Sequence, residues 1–164
     1  MTSSRLKLNV STAIAFSVAT SAFAGAPPKS IVQWHVKSKP AAAVAAGGRF
    51  DVTVSGSIDP GWHVYALDEP EDGPVATVVG LSEGDPANLL RVTEGTPKMV
   101  SDPIFQQSTG LFENTVDFTL HLQLATGLSA GTHPLHVLIR FQSCDNHVCL
   151  APHIDTILVP LQTR

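Results

Sequence analysis

The sequence predicts an all-β sandwich, and three features of the chain lead to this fold class. Apolar and polar residues alternate with a period of two, most clearly over residues 115–124, as in strands that bury one face. Clusters of Gly, Pro, Asp and Asn separate such segments at short intervals. No stretch has the convincing period of an amphipathic helix, and seven or eight short strands without helices indicate a sandwich.

The first 24 residues have the features of a secretory signal peptide. Arg5 and Lys7 form a basic start, a short apolar stretch follows, and Ala22-Phe23-Ala24 resembles an A-x-A cleavage site. The apolar stretch is shorter than the roughly 20 residues that a membrane span needs. We therefore expect residues 1–24 to be removed on export, leaving one domain over residues 25–164.

Composition narrows the class of function. Two of the 10 basic residues lie in the leader, which leaves eight against 14 acidic residues and a formal charge of −6. A mildly acidic domain without a basic cluster is a poor binder of nucleic acids and of anionic membranes. With 43% hydrophobic and 15% charged residues, the chain is expected to fold rather than to stay disordered.

The first half of the domain begins with three predicted strands. Residues 31–36 form the first, and the small residues at 41–48 are predicted as a loop, because a helix that short is marginal. Alternation predicts the second strand over residues 50–54. A turn by composition at residues 58–61 leads to the third strand, over residues 62–66.

The middle of the chain is predicted to be less regular. An acidic loop, DEPEDGP at residues 68–74, precedes two short apolar runs at residues 75–81 and 89–92. Residues 93–110 then show no clear period and are predicted as one long connection. A connection of that length inside a compact domain is more often functional than idle.

The last three predicted strands have the clearest pattern. Residues 115–124 alternate strictly, and residues 135–141 repeat the alternation after a turn at residues 127–132. A final apolar strand covers residues 154–161.

The two cysteines, Cys144 and Cys149, lie between these last two strands, near the mouth of the hairpin that we expect there. A structural disulfide is one interpretation, although closing so small a ring stabilises by only about 2 kcal/mol, against about 4 kcal/mol for a bridge across a whole sandwich. A small exposed ring also suits a reversible dithiol. The spacing leaves both interpretations open.

A third interpretation treats four residues as ligands of zinc or copper(I): Cys144, His147, Cys149 and His153. Their spacing matches no standard zinc pattern, and an oxidising compartment would favour the disulfide. We therefore expect no metal and no other cofactor. A protonated His147 would lower the pKa of a neighbouring cysteine, and Asp145 would raise it. Alternatively, Asp145 simply forms a tight turn.

Three segments together resemble a known family. FQSCDNHVCLAP at residues 141–152, followed by an apolar strand, resembles the end of the N-terminal periplasmic domain of the DsbD thiol:disulfide interchange proteins. GWHVY at residues 61–65 is similar to a Gly-aromatic-x-hydrophobic-Tyr strand of that family. DPIF at residues 102–105 falls where the family has an acidic, Phe-containing cap loop.

The resemblance implies an immunoglobulin-like sandwich in the periplasm, with Cys144 and Cys149 as a redox pair that accepts electrons and passes them on. It further implies that the more C-terminal Cys149 forms the mixed disulfide with a partner. Ala151 replaces the first Pro of the family's pattern, a departure that could loosen the loop.

The resemblance also implies roles around the pair. Phe105, in the loop that begins at Asp102, would be the cap, and Tyr65 would be an aromatic side chain packed near the pair. His63 stands where the family can have a second Tyr. A lone Phe in a polar loop could instead be a small anchor into the core.

The implied partners are thioredoxin-fold proteins of the periplasm, and electrons would come through a separate membrane donor, because the sequence shows neither a membrane domain nor a thioredoxin-like domain. The leading hypothesis is therefore a soluble periplasmic thiol–disulfide exchange protein, an oxidoreductase if active. The alternative is a non-catalytic, immunoglobulin-like binding module with a structural disulfide.

Overall fold

Eleven β-strands make up the regular structure of residues 30–164, the part of the chain that this computed structural model describes. They are β1 (Val32–Ser38), β2 (Arg49–Ile58), β3 (His63–Tyr65), β4 (Val78–Leu81), β5 (Ala87–Glu94), β6 (Lys98–Ser101), β7 (Ser108–Glu113), β8 (Thr115–Leu124), β9 (Gly131–Phe141), β10 (Ser143–Cys144) and β11 (His153–Thr163). These residues include no helix that could cross a membrane. The predicted signal peptide, residues 1–24, lies outside the described residues.

Seven of the strands build two facing sheets. One sheet has the order β1-β2-β8-β5 and the other β11-β9-β4, with every neighbouring pair antiparallel. Taken in chain order, these seven strands occupy the positions A to G of an immunoglobulin fold, whose sheets are ABED and CFG. The prediction of an all-β, immunoglobulin-like sandwich is confirmed for the described residues.

The core lies between these two sheets and follows the alternation seen in the sequence. In β8 every second side chain is buried, and these side chains belong to one cluster with the inward residues of β2, β9 and β11. The members from β8 are Val116, Phe118, Leu120, Leu122 and Leu124. The predicted hairpin of the last two long strands is also confirmed, because β9 and β11 pair from Phe141 opposite His153 to Gly131 opposite Thr163.

A third, smaller sheet has the order β10-β3-β7-β6, and we call it the small sheet. One of its faces, with Val64 and Phe112, packs against the sandwich core. Its other face carries a separate apolar cluster of Tyr65, Leu111 and Cys144. The small sheet is therefore buried on both faces along β3, β7 and β10, while most of the sandwich strands bury one.

The prediction of one long connection over residues 93–110 is wrong. β5 extends to Glu94, β6 covers Lys98–Ser101 and β7 begins at Ser108, so that a loop remains at residues 102–107. β6 is a short and largely exposed strand, and β7 buries four successive residues. Neither strand has the alternation that identifies a half-buried strand, which is why the sequence pattern missed them.

Candidate functional site

The two cysteines form a disulfide at the edge of the small sheet. Cys144 ends β10 and Cys149 follows a four-residue turn, with their Cα atoms 4.1 Å apart and directly opposite each other. Cys144 is completely buried, whereas Cys149 is partly exposed. A molecule that approaches the bridge from solvent therefore meets Cys149 first.

The turn inside the ring, residues 145–148, is held by its own hydrogen bonds. The Asp145 side chain accepts the backbone N–H groups of His147 and Val148, both at 2.7 Å, as expected of an Asx turn. These two bonds hold the pKa of the Asp145 carboxyl below its usual value. The prediction of a tight turn at Asp145 is confirmed, and His147 is exposed to solvent.

The residues that flank the ring are also tied together without the bridge. The Leu150 N–H donates to the Ser143 carbonyl at 2.9 Å, and the Gln142 amide donates to the Leu150 carbonyl at 3.1 Å. The other end of the Gln142 amide accepts the Val75 N–H at 3.3 Å. The backbone around the cysteines is thus positioned by a hairpin and one glutamine as well as by the disulfide.

Strand register brings two aromatic side chains beside the bridge. Cys144 of β10 lies directly opposite His63 of β3, and Tyr65 follows two residues later on the same strand. Directly opposite residues of an antiparallel pair, and residues two apart on one strand, point to the same face. The three side chains therefore share the outer face of the small sheet.

A hydrogen-bonded chain runs along this face. His63 Nε2 lies 3.2 Å from the Tyr65 hydroxyl oxygen, and the hydroxyl donates to Asp102 Oδ2 at 2.8 Å. The rings of His63 and Tyr65 meet edge to face, with centroids 5.1 Å apart. All three side chains are buried, so each of these polar contacts replaces water that burial has removed.

Asp102 also begins the loop that covers this face, and we call residues 102–107 the cap loop. Its Oδ1 accepts the N–H groups of Ile104 and Phe105 at 2.8 and 3.1 Å, and its own N–H donates to the Gln107 carbonyl at 2.9 Å. The Phe105 ring meets the Tyr65 ring edge to face at 6.1 Å. Phe105 belongs to the same apolar cluster as both cysteines.

Burial and hydrogen bonding set the charges of this network. Burial raises the pKa of Asp102, but the hydrogen bonds from Phe105, Tyr65 and Ile104 outweigh it and hold that pKa below its usual value. Burial and the bond to Asp102 raise the pKa of Tyr65, so that the phenol stays protonated. Burial lowers the pKa of His63 below 6.5, against the attraction of nearby carboxylates.

The structure brings together the six residues singled out from the sequence: Cys144, Cys149, Phe105, Tyr65, His63 and Asp102. The two histidines of the metal hypothesis are placed differently, since His147 points to solvent and the His153 ring lies against Phe141 at 4.4 Å. Across residues 30–164, no group of three His, Cys, Asp or Glu side chains is arranged to hold a metal ion.

Several residues that line the site were not predicted from the sequence. Leu111 and Val100 pack in the cysteine cluster, and the Thr109 hydroxyl lies 3.5 Å from Asp102 Oδ2. All three belong to β6 and β7, the strands without alternation. Strand pairing was the signal that could have found them, because the register places them on the face that holds Tyr65.

Residues 33–161 match the sequence family described as Thiol:disulfide interchange protein DsbD, N-terminal. The chain belongs to this DsbD N-terminal family. The resemblance noted in the sequence is therefore confirmed. Family membership and the Cys144–Cys149 disulfide together support a role in thiol–disulfide exchange.

Two solved structures are similar to this member of the DsbD N-terminal family. The N-terminal periplasmic domain of ScsB from Proteus mirabilis is 16% identical, with a TM-score of 0.55, and the match covers 84% of this chain and 49% of that chain. The N-terminal domain of DsbD from Neisseria meningitidis in the reduced form is 14% identical, with a TM-score of 0.48, and the match covers 68% of this chain and 77% of that one. The ScsB likeness supports the fold, and this chain spans about half of the ScsB chain. Comparison with curated proteins gives no match.

Proposed function

We propose that the domain over residues 25–164 is a soluble periplasmic thiol–disulfide exchange protein that passes electrons between thioredoxin-fold partners. In its reduced form, the Cys149 thiolate attacks a partner disulfide, which forms a mixed disulfide and releases one partner thiolate. Cys144 then attacks Cys149, which closes the Cys144–Cys149 bond and releases the second partner thiolate. The partner gains two electrons, and the cysteine pair loses two.

The unequal exposure of the two sulfur-bearing residues is the observation that carries this proposal. Cys149 is partly exposed and Cys144 is buried directly behind it, which suits an attacking and a resolving cysteine. The hydrogen bonds around Gln142, Ser143 and Leu150 hold the backbone in place without the bridge. The site is thus compatible with repeated opening and closing of the bond.

The cap loop supports the same function. An uncovered dithiol in an oxidising compartment reacts with any accessible oxidant, so a cap that moves aside for a partner would protect it. Phe105 packs in the same apolar cluster as both cysteines, while Asp102, which anchors the cap loop, is buried and accepts several hydrogen bonds. In this proposal Phe105 swings away while Asp102 remains fixed.

Covalent trapping tests the proposal. Cys144→Ser should leave Cys149 free to attack but unable to resolve, so that a purified thioredoxin-fold protein in its disulfide form accumulates as a mixed disulfide. The matched variant Cys149→Ser retains the buried cysteine alone and should accumulate far less. If neither variant is trapped by a panel of periplasmic thioredoxin-fold proteins, the bridge is structural and the chain is a binding module.

A further inference from the structure

The resolving step depends on deprotonation of Cys144, which the burial of this residue makes unfavourable. Cys144 must lose its proton before it can attack Cys149, because the thiolate is the nucleophile. The residue is completely buried, and burial disfavours the charged form of a thiol. A base next to Cys144 would therefore speed this step. The step itself belongs to the exchange reaction proposed above.

His63 is the basic side chain that the strand register places beside Cys144. The two residues are directly opposite each other in the β3–β10 pair, where Cβ atoms lie about 5 Å apart. The side chain of His63 is on the outer face of the small sheet, since its ring bonds to Tyr65, and Tyr65 packs in the cluster of Cys144.

The hydrogen-bonded chain fixes which ring nitrogen can accept a proton. A carboxylate only accepts, so the Tyr65 hydroxyl gives its one proton to Asp102, and its oxygen is left to accept from His63 Nε2–H. In the neutral ring, Nδ1 then holds the basic lone pair. The buried Asp102 thus acts through Tyr65 to orient His63 as a base.

We propose that His63 is the acid–base group of the cysteine pair and takes the proton of the Cys144 thiol in the resolving step. The Cys144 S–H bond breaks, and the proton moves to His63 Nδ1 as the sulfur bonds to Cys149. The Cys149–partner bond breaks in the same displacement. The imidazolium then returns the proton to the departing partner thiolate or to water. The inference rests on the proposed function.

Charged groups from every neighbouring element act on His63. Burial of the ring is the largest influence and lowers its pKa, while three carboxylates raise it: Asp102 of the cap loop, Glu113 opposite His63 on β7, and Asp145 of the turn. Lys98 of β6, paired with Glu113 at 2.9 Å, opposes them. The net result leaves the ring neutral at pH 7, and the carboxylates stabilise the imidazolium once it forms.

A two-step reaction with dithionitrobenzoate separates attack from resolution. The fully reduced protein should release one thionitrobenzoate as Cys149 forms the mixed disulfide, in a phase whose rate depends on reagent concentration. It should release a second as Cys144 resolves, in a phase that does not. His63→Gln keeps an N–H donor for Tyr65 but has no base, and should slow the second phase about 100-fold while changing the first less than about twofold.

Controls distinguish a base from a structural residue. His35→Gln removes an exposed histidine of β1, outside the small sheet, and should leave both phases unchanged. Tyr65→Phe retains the ring but frees His63, and should slow the second phase by a smaller factor. In the unmodified protein, the rate of the second phase should rise with pH and become constant once His63 has lost its proton, at a pKa below 6.5. In His63→Gln, that rate should continue to rise beyond pH 8.

Each failure has a distinct meaning. An unchanged second phase in His63→Gln, or a pH profile without the low pKa in the unmodified protein, would overturn the role of His63 and leave the exchange function intact. Slowing confined to the first phase would also overturn it, because His63 would then act on the attacking cysteine and not on Cys144 in the resolving step. If the reduced protein releases only the first thionitrobenzoate and never a second, the exchange function is contradicted instead.

Discussion

The sandwich and the small sheet differ in the kind of side chain that they bury. The two facing sheets bury an almost entirely apolar core, drawn from strands whose side chains alternate inward and outward. The small sheet buries a histidine, a tyrosine and an aspartate next to the disulfide, and satisfies them with hydrogen bonds. The apolar core that stabilises the fold thus lies in the sandwich, whereas the buried polar side chains beside the disulfide lie on the small sheet.

The first prediction concerns the sandwich, where the largest loss of stability is expected. Leu120→Ala removes a completely buried side chain of β8 and should lower the free energy of unfolding by about 2–5 kcal/mol, since it leaves a cavity. Leu158→Ala makes the same change at a side chain that is 58% exposed and should cost less than about 0.5 kcal/mol. Urea unfolding measures both, and equal losses would contradict the assigned core.

The second prediction concerns the anchor of the cap loop. Asp102→Asn removes the charge that accepts hydrogen bonds from Ile104, Phe105 and Tyr65, and should cost about 2 kcal/mol. Because the cap loop loosens, the disulfide should also be reduced faster by a small thiol. Asp68→Asn, at an exposed residue, is the matched control. A loss of stability without faster reduction would separate Asp102 from the cap.

The third prediction is the acid sensitivity of the small sheet. The pKa of His63 is lowered in the folded state, so only the unfolded chain gains a proton as the pH falls through 6.5, and stability declines from there. The pKa of Asp102 is also lowered, which adds a further decline below about pH 4. Burial raises the pKa of Glu69 and Glu94, which act in the opposite sense.

Variants isolate these contributions in melting temperatures measured from pH 7.5 to pH 3. His63→Gln should flatten the decline that begins near pH 6.5, and Asp102→Asn should flatten the decline below about pH 4. If both variants retain the acid profile of the unmodified protein, the network does not hold the charges described above.

The fourth prediction, with the smallest effect on stability, concerns Phe105. Phe105→Ala should speed reduction of the disulfide by a small thiol severalfold, because the ring packs in the same apolar cluster as both cysteines, and should cost less than about 1.5 kcal/mol since the residue is partly exposed. Ile104→Ala, at a neighbour that is 38% exposed, should leave the reduction rate unchanged. A large loss of stability at an unchanged rate would make Phe105 a core anchor.

The difference between the two regions also explains what could be predicted from the sequence. Alternation identified β8 with its bounds and located β2 and β9, because each of these strands has one buried and one solvated face. The same criterion failed for β6 and β7, whose side chains are mostly exposed or buried on both faces.

The candidate site likewise contains some features that could be predicted from the sequence and others that could not. The cysteine pair and the turn at Asp145 are local in sequence, so spacing and turn chemistry were enough to find them. The bond between Tyr65 and Asp102 joins residues 37 positions apart, and the pairing of His63 with Cys144 depends on strand register. Such contacts exist only in the folded chain, and a family resemblance was needed to bring these residues together beforehand.

The reduction potential of the Cys144–Cys149 pair tests the central claim most directly. Equilibration of the protein with glutathione or dithiothreitol buffers of known potential, followed by mass measurement of the alkylated thiols, gives this value. An exchange pair should lie between about −120 and −270 mV, in the range of known exchange proteins. A potential below about −300 mV is typical of structural disulfides and would contradict the redox role of the small sheet.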